Sequence, residues 1–155
     1  MHFILRKLLI FIIGFCLVAC EPIRPTLNSN SSSAIEGQVM EQLGNAMPMI
    51  GKSPSLGRPL VSKVYIYPPL NLDQLEHQNG SYCTKIRLAP LATTLTDSAG
   101  HYRMPLQPGK YTVLVGYDQG YFIPYFSGIN GVAHFVIEAQ KNTNLDIIVN
   151  QKASY

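Results

Sequence analysis

The stretch Thr96-Asp97-Ser98-Ala99-Gly100-His101-Tyr102-Arg103-Met104-Pro105-Leu106-Gln107-Pro108-Gly109-Lys110-Tyr111-Thr112-Val113 decides the fold class. An Asp side chain accepts hydrogen bonds from the amides of its own turn, which suits Asp97, and Gly100 offers a backbone conformation that other residues resist. The aromatic Tyr102 then opens a strand. Gln107-Pro108-Gly109-Lys110 reads as a second turn, with Pro and Gly where a type II turn wants them. Beyond it Tyr111, Val113, Val115 and Tyr117 fall on one face of a strand. Turn, strand, turn, strand in so short a span is the grammar of a β protein.

The same grammar extends in both directions. Leu60 to Tyr67 reads as a strand with Val64 and Ile66 on one face and Lys63, Tyr65 and Tyr67 on the other, ended by Pro68-Pro69. Phe135 and Ile137 oppose His134 and Glu138, and Leu145, Ile147 and Val149 alternate with Asp146 and Asn150. Ile35 to Met40 alternates weakly and is the candidate first strand. Another extended stretch is expected within Tyr82 to Thr96, interrupted by Pro90. Residues 41–59, rich in Gly and Pro, read as a loop, and 118–131 as a loop rich in Gly and aromatics with room for a short strand. Residues 70–81 read as a polar loop in which Leu72 and Leu75 allow one helical turn. Eleven prolines and twelve glycines between short apolar runs leave no convincing helix. The expected fold is all-β, a seven-stranded antiparallel or mixed β-sandwich.

The N-terminus has a different character. Arg6 and Lys7 precede the apolar run Leu8 to Ala19, which as a helix reaches only about 18 Å against a hydrocarbon core of about 30 Å. A basic start, a short apolar run and a small residue before a break describe a signal peptide rather than a membrane span. Leu17-Val18-Ala19-Cys20 resembles the bacterial lipobox. That resemblance implies cleavage before Cys20, a diacylglycerol thioether on its sulfur and acylation of the new amino group. More than one acyl chain is what stable anchoring requires.

Three segments follow: 1–19 as signal peptide, 20–33 as lipidated Cys20 and flexible tether, and 34–155 as the β-domain. Extended at 3.3–3.6 Å per residue, the tether Glu21 to Ser33 spans about 45 Å. Loss of residues 1–19 leaves 136 residues and lowers the formal charge from +3 to +1. So small a charge excludes a basic nucleic-acid footprint. With Cys16 removed and Cys20 acylated, Cys83 has no partner for an internal disulfide and is expected to be buried packing.

From Thr96-Asp97-x-x-Gly100-x-Tyr102 through Leu106-x-Pro108-Gly109-Lys110-Tyr111-x-Val113, the chain looks like the carboxypeptidase regulatory-like domain. Glu36-Gly37-Gln38-Val39 resembles that family's opening strand, and Gly57-Arg58-Pro59-Leu60-Val61 its approach to the second. The resemblance covers about Ala34 to Val149 and implies a transthyretin-like sandwich. Gly44-Asn45-x-Met47-Pro48, Val64-Tyr65-Ile66-Tyr67 and the final Lys152-Ala153-Ser154-Tyr155 look like small envelope lipoproteins that carry this domain. Asp97, Gly100, Pro108 and Gly109 are then turn residues, and Tyr102, Leu106, Tyr111 and Val113 core residues. The zinc carboxypeptidases' catalytic domain has no counterpart here, and a fold by itself does not fix a function.

Four constellations bear on chemistry. Ala46 to Ser53 lacks the first Gly of a phosphate-binding loop, and Pro54, Gly57 and Pro59 forbid the helix that must follow. Asp97, Ser98 and His101 gather nucleophile and base types, but turn formation already accounts for Asp97. The transthyretin-like hydrolase of purine breakdown ends Tyr-Arg-Gly-Ser, whereas this sequence ends Gln151-Lys-Ala-Ser-Tyr155. His77, His101 and His134 lack zinc-ligand spacing, and Met47 and Met49, with Met40 nearby, suit Cu(I) only by softness. The fourth is aromatic: Tyr117, Tyr121, Phe122, Tyr125 and Phe126, with Asp118, Gln119 and Asn130, form a candidate ligand platform.

These residues lead to a membrane-anchored envelope lipoprotein, in the outer membrane, whose sandwich is a non-catalytic binding or interaction module. Its expected partners are membrane lipid through Cys20 and an envelope protein or carbohydrate, with no metal, cofactor or nucleic acid. The alternatives are a structural or assembly subunit and, more remotely, a small hydrolase.

Overall fold

Alternating apolar residues build two packed sheets in the computed structural model, which describes residues 33–45, 47, 57–128 and 131–154. In chain order the strands are β1 (Ala34–Asn45), β2 (Arg58–Pro59), β3 (Lys63–Tyr67), β4 (Leu75–Glu76), β5 (Tyr82–Cys83), β6 (Lys85–Ile86), β7 (Ala92–Leu95) and β8 (His101–Pro105). They continue as β9 (Gly109–Tyr117), β10 (Gly120–Phe122), β11 (Phe126–Ser127), β12 (Gly131–Val132), β13 (Phe135–Ile137), β14 (Asn142–Asn144) and β15 (Ile147–Ser154). A 3-10 turn lies at Leu72–Gln74.

The first sheet has β1 as its spine. The first half of β1 pairs antiparallel with β8 and parallel with β14. Its second half pairs antiparallel with β2 and parallel with β15. The second sheet runs β5-β10-β9-β3-β7, with β13 beside the first half of β9. Between the sheets lie Ile35, Val39, Ile147 and Val149 from one side and Val64, Ile66, Val113 and Val115 from the other. The chain thus forms the all-β sandwich expected of it, and the mixed pairing comes from the parallel contacts of β1.

The turn before β8 is built by Asp97. Its Oδ1 accepts the amides of Ala99 and His101 at 2.9 and 2.8 Å, and its carbonyl accepts that of Gly100. Gly100 sits at φ +80° with its Cα against Val39, where an added Cβ would lie 2.4 Å from a backbone oxygen. Tyr102 is buried and donates to the Leu145 carbonyl at 2.7 Å.

Three local expectations need correction. Gly109 does not occupy the positive-φ position of a type II turn; it is the first residue of β9 and pairs with Ile137. Pairing in β9 holds it extended, while Tyr111 closes the corner by donating to the Gln107 carbonyl at 3.0 Å. Residues 41–45 are not loop, because β15 extends the ladder of β1 as far as Asn45. Finally, 70–81 is more than a polar loop. Leu70, Leu75, Cys83 and Ile86 join Tyr67, Leu114, Ile123 and Val132 in a second core on the outer face of the second sheet. Thr112 fastens this layer by accepting the Leu70 amide through its buried hydroxyl.

Cys83 lies in that second core with no exposed surface, and burial pushes its thiol up to about 11. The thiolate is the reactive form, so the native protein should leave Cys83 unmodified by a thiol reagent at pH 8 and label it only in denaturant. Peptide mass mapping locates the label; rapid native labelling at Cys83 would contradict its burial.

Candidate functional site

Strand parity carries a charged residue into the interior. Ile35, Gly37 and Val39 alternate along β1, and the next residue of the same parity is Glu41, which is buried. Arg58 stands directly across the ladder on β2. Its Nε and Nη2 donate to Glu41 Oε2 at 2.9 and 2.6 Å. From the opposite sheet the Tyr117 hydroxyl, at the end of β9, donates to Glu41 Oε1 at 2.7 Å. One carboxylate therefore ties the two layers together. Past Glu41 the pairing with β15 shifts register, setting Lys152 across from Leu43. Lys152 Nζ reaches Asp118 Oδ1 at 3.1 Å and lies 5.0 Å from the centroid of the Tyr117 ring.

Around this network lies an open groove of about 680 Å³. One wall holds Glu41, Arg58, Tyr117 and Lys152, and the hairpin tip Asp118-Gln119 forms its rim. The other wall is the outer face of the second sheet, where the second core covers Tyr67 and Leu114 but leaves Tyr65 half-buried and Lys63 exposed. Gly116 lies between Tyr65 and Tyr121; lacking a side chain, it lets the two rings meet edge to face with centroids 5.0 Å apart. A Cβ on Gly116 would stand 3.2 Å from the Tyr65 ring. Ser62 donates to the Gly116 carbonyl and holds this corner.

Burial by itself would raise the Glu41 pKa. Hydrogen bonds from Tyr117 and Arg58, together with the charges of Arg58 and Lys152, outweigh it and hold the carboxyl below its ordinary value. A carboxyl depressed in the folded state binds its proton more readily once unfolded. Its stabilisation is present above the unfolded value near 4.5 and is lost as pH falls through the folded one. Glu41→Gln should cost about 1.5–3 kcal/mol at pH 7, the worth of hydrogen bonds to a charged group. It should also flatten the acid limb of stability. Urea unfolding at pH 7 and pH 3.5 measures both; an unchanged difference between the two pH values would show that Glu41 is not the group responsible. The carboxyls of half-buried Glu76 and exposed Asp97, also depressed, retain their share.

The candidate aromatic platform is dispersed. Tyr117 and Tyr121 line the groove, whereas Phe122 is buried between the sheets. Tyr125 and Phe126 are exposed elsewhere, Tyr125 donating to the Asp146 carbonyl and meeting Phe135 edge to face. Asn130, Met49 and Cys20, the expected lipidation residue, lie outside the described residues. Pro108 is exposed, and Tyr111 is half-buried against the first core. His101 Nδ1 stands 3.6 Å from Asp97 Oδ2 on an exposed turn, while His134 contacts the Leu70 carbonyl and His77 lies apart. Among the described residues no group of three His, Cys, Asp or Glu is placed to hold a metal ion. Sequence reading missed Glu41, Arg58, Lys63 and Lys152; the available signal was the inward parity of Glu41.

The groove also has a fixed relation to the start of the domain. Seven residues of strand, about 23 Å at 3.3 Å each, separate Ala34 from Glu41. The chain enters at one end of β1 and the groove opens toward the other.

Fold and site define an all-β sandwich domain with a polar, tyrosine-lined groove at one end. No family model matches the sequence, and no curated protein matches it. Among solved structures, a minor pilin of the Gram-positive pathogen Streptococcus agalactiae aligns with a TM-score of 0.36 at 17% identity, covering 76% of this chain and 43% of the pilin. The chain therefore spans less than half of that pilin's length. So weak a likeness decides nothing further, and the fold rests on the strand pairing and core described above.

Proposed function

We propose that this chain is an envelope lipoprotein, anchored in the outer membrane through Cys20, whose β-sandwich is a non-catalytic binding module of the carboxypeptidase regulatory-like kind. Leu17-Val18-Ala19-Cys20, behind a basic start and a short apolar run, supports the anchor. The observation that carries the binding role is the groove's position. A tether reaching Ala34 meets the domain at the end remote from Glu41, so the groove would face away from the attachment point. Its partner is an envelope protein or carbohydrate. No catalytic step is assigned to it.

Intact mass of the protein from a bacterial membrane fraction tests the anchor, beside a Cys20→Ala version. The expected result is a chain lacking residues 1–19 and carrying acyl groups, with both changes lost in the variant. An unacylated mass, or a Cys20→Ala protein that fractionates and weighs as the parent does, would overturn the lipoprotein reading.

A further inference from the structure

The groove combines features that bear on what it takes. Tyr65 and Tyr121 present a half-buried aromatic surface made accessible by Gly116, and aromatic faces pack well against the C–H face of a sugar ring. Of the cations lining it, Arg58 is engaged by Glu41 and Lys152 by Asp118, whereas Lys63 has no ion pair among the described residues. With Glu41 and Asp118 neutralised locally, Lys63 leaves the wall with a net positive charge beside the tyrosines. The lining is mainly polar and contains hydrogen-bonding side chains at Thr84 and Gln119, which suits hydroxyl groups better than an apolar peptide side chain. The groove is open to solvent rather than enclosed, which leaves room for a ligand that continues beyond it.

We propose that this groove binds an acidic oligosaccharide, its ring packed in the corner between Tyr121 and Tyr65, on the face of one and against the edge of the other, and its carboxylate drawn to Lys63. The inference rests on reading the domain as a binding module and is independent of the anchor. It differs from the dispersed aromatic loop in using Tyr121 but not Tyr125 or Phe126.

The test is isothermal titration of the full chain, recovered from whichever fraction holds it, with three probes: tetragalacturonate, neutral maltotetraose and tetraglutamate. Tetragalacturonate should bind more tightly than either of the others, and its affinity should fall with added salt, as a charged contact requires. Tyr121→Ala should weaken it at least tenfold and Lys63→Ala several-fold, whereas Tyr125→Ala should bind as the parent does. Circular dichroism melts confirm that each variant is folded, and Lys63→Ala, at an exposed position, remains informative if Tyr121→Ala is not. Maltotetraose binding equally well would remove the charge from the proposal. Tetraglutamate binding equally well would make the site a peptide or simple anion site and overturn the glycan. Tetragalacturonate binding lost with Tyr125 rather than Tyr121 would place the site elsewhere. No binding of tetragalacturonate overturns the inference, and the wider binding role then stands only if another probe binds.

Discussion

Gly37→Ala is expected to destabilise the protein by at least about 3 kcal/mol, the upper end of the usual cost of overpacking. A Cβ at residue 37 would sit 2.1 Å from the Leu145 carbonyl oxygen and 2.6 Å from its carbon. Both are backbone atoms, so no side chain can swing aside. Tyr102, paired with Gly37 across the ladder, donates its hydroxyl to that same carbonyl. The Leu145 amide in turn donates to the Glu36 carbonyl at 2.8 Å. A methyl group here pushes apart β8, β1 and the β14–β15 junction together. Against a typical total of about 5–15 kcal/mol this is a large fraction. Urea unfolding of the purified variant measures it, and a midpoint equal to the parent's would show that the junction yields freely.

Leu114→Ala is expected to cost about 2–5 kcal/mol, the range for emptying a fully buried leucine site. The side chain has no exposed surface and projects from β9 into the second core, away from the first. Its loss should therefore act unevenly. Hydrogen exchange should speed up more at Leu70, Ile86 and Ile123 than at Ile35 or Val39, which pack between the sheets. Cys83, a neighbour in the same cluster, should become open to thiol reagents well before global unfolding. Uniform loss of protection along the chain would mean that the two cores unfold as one unit.

These two residues also show what a sequence makes legible. The faces of β3, β9, β13 and β15 could be read from period-two alternation, because each buries at least one face against a sheet of the same regularity. The second core could not. Leu70, Leu75, Cys83 and Ile86 come from connecting turns and two-residue strands, where spacing follows no period. Thr112 looks like a solvent-facing residue of β9 until the layer above it is known. Gly109 sits after a Pro in a perfect setting for a type II turn, but pairing with β13 keeps it extended.

The site was legible only in part. Tyr117 and Tyr121 stood out as aromatics, but neighbours in sequence proved not to be neighbours in space. Phe122 points to the opposite face from Tyr121, as adjacent strand residues must. The charges that complete the groove come from β2, β3 and β15, and only the pairing of β1 with β2 and β15, together with that of β3 with β9, assembles them. Glu41 carried the one available signal, a carboxylate at an inward parity, which goes unread once residues 41–59 are taken as loop. Such a residue implies partners without naming them.

The parallel pairing of β1 with β15 has a mechanical consequence. Suppose tension is applied between the start of β1 and the far end of β15. The two strands are then pulled in opposite senses along their own axes. Their hydrogen bonds from Val39–Ile147 to Asn45–Ser154 share the load in shear instead of parting one by one. The same pair joins the first of the described strands to the last of them, so this seam cannot close until the chain through β15 has been made.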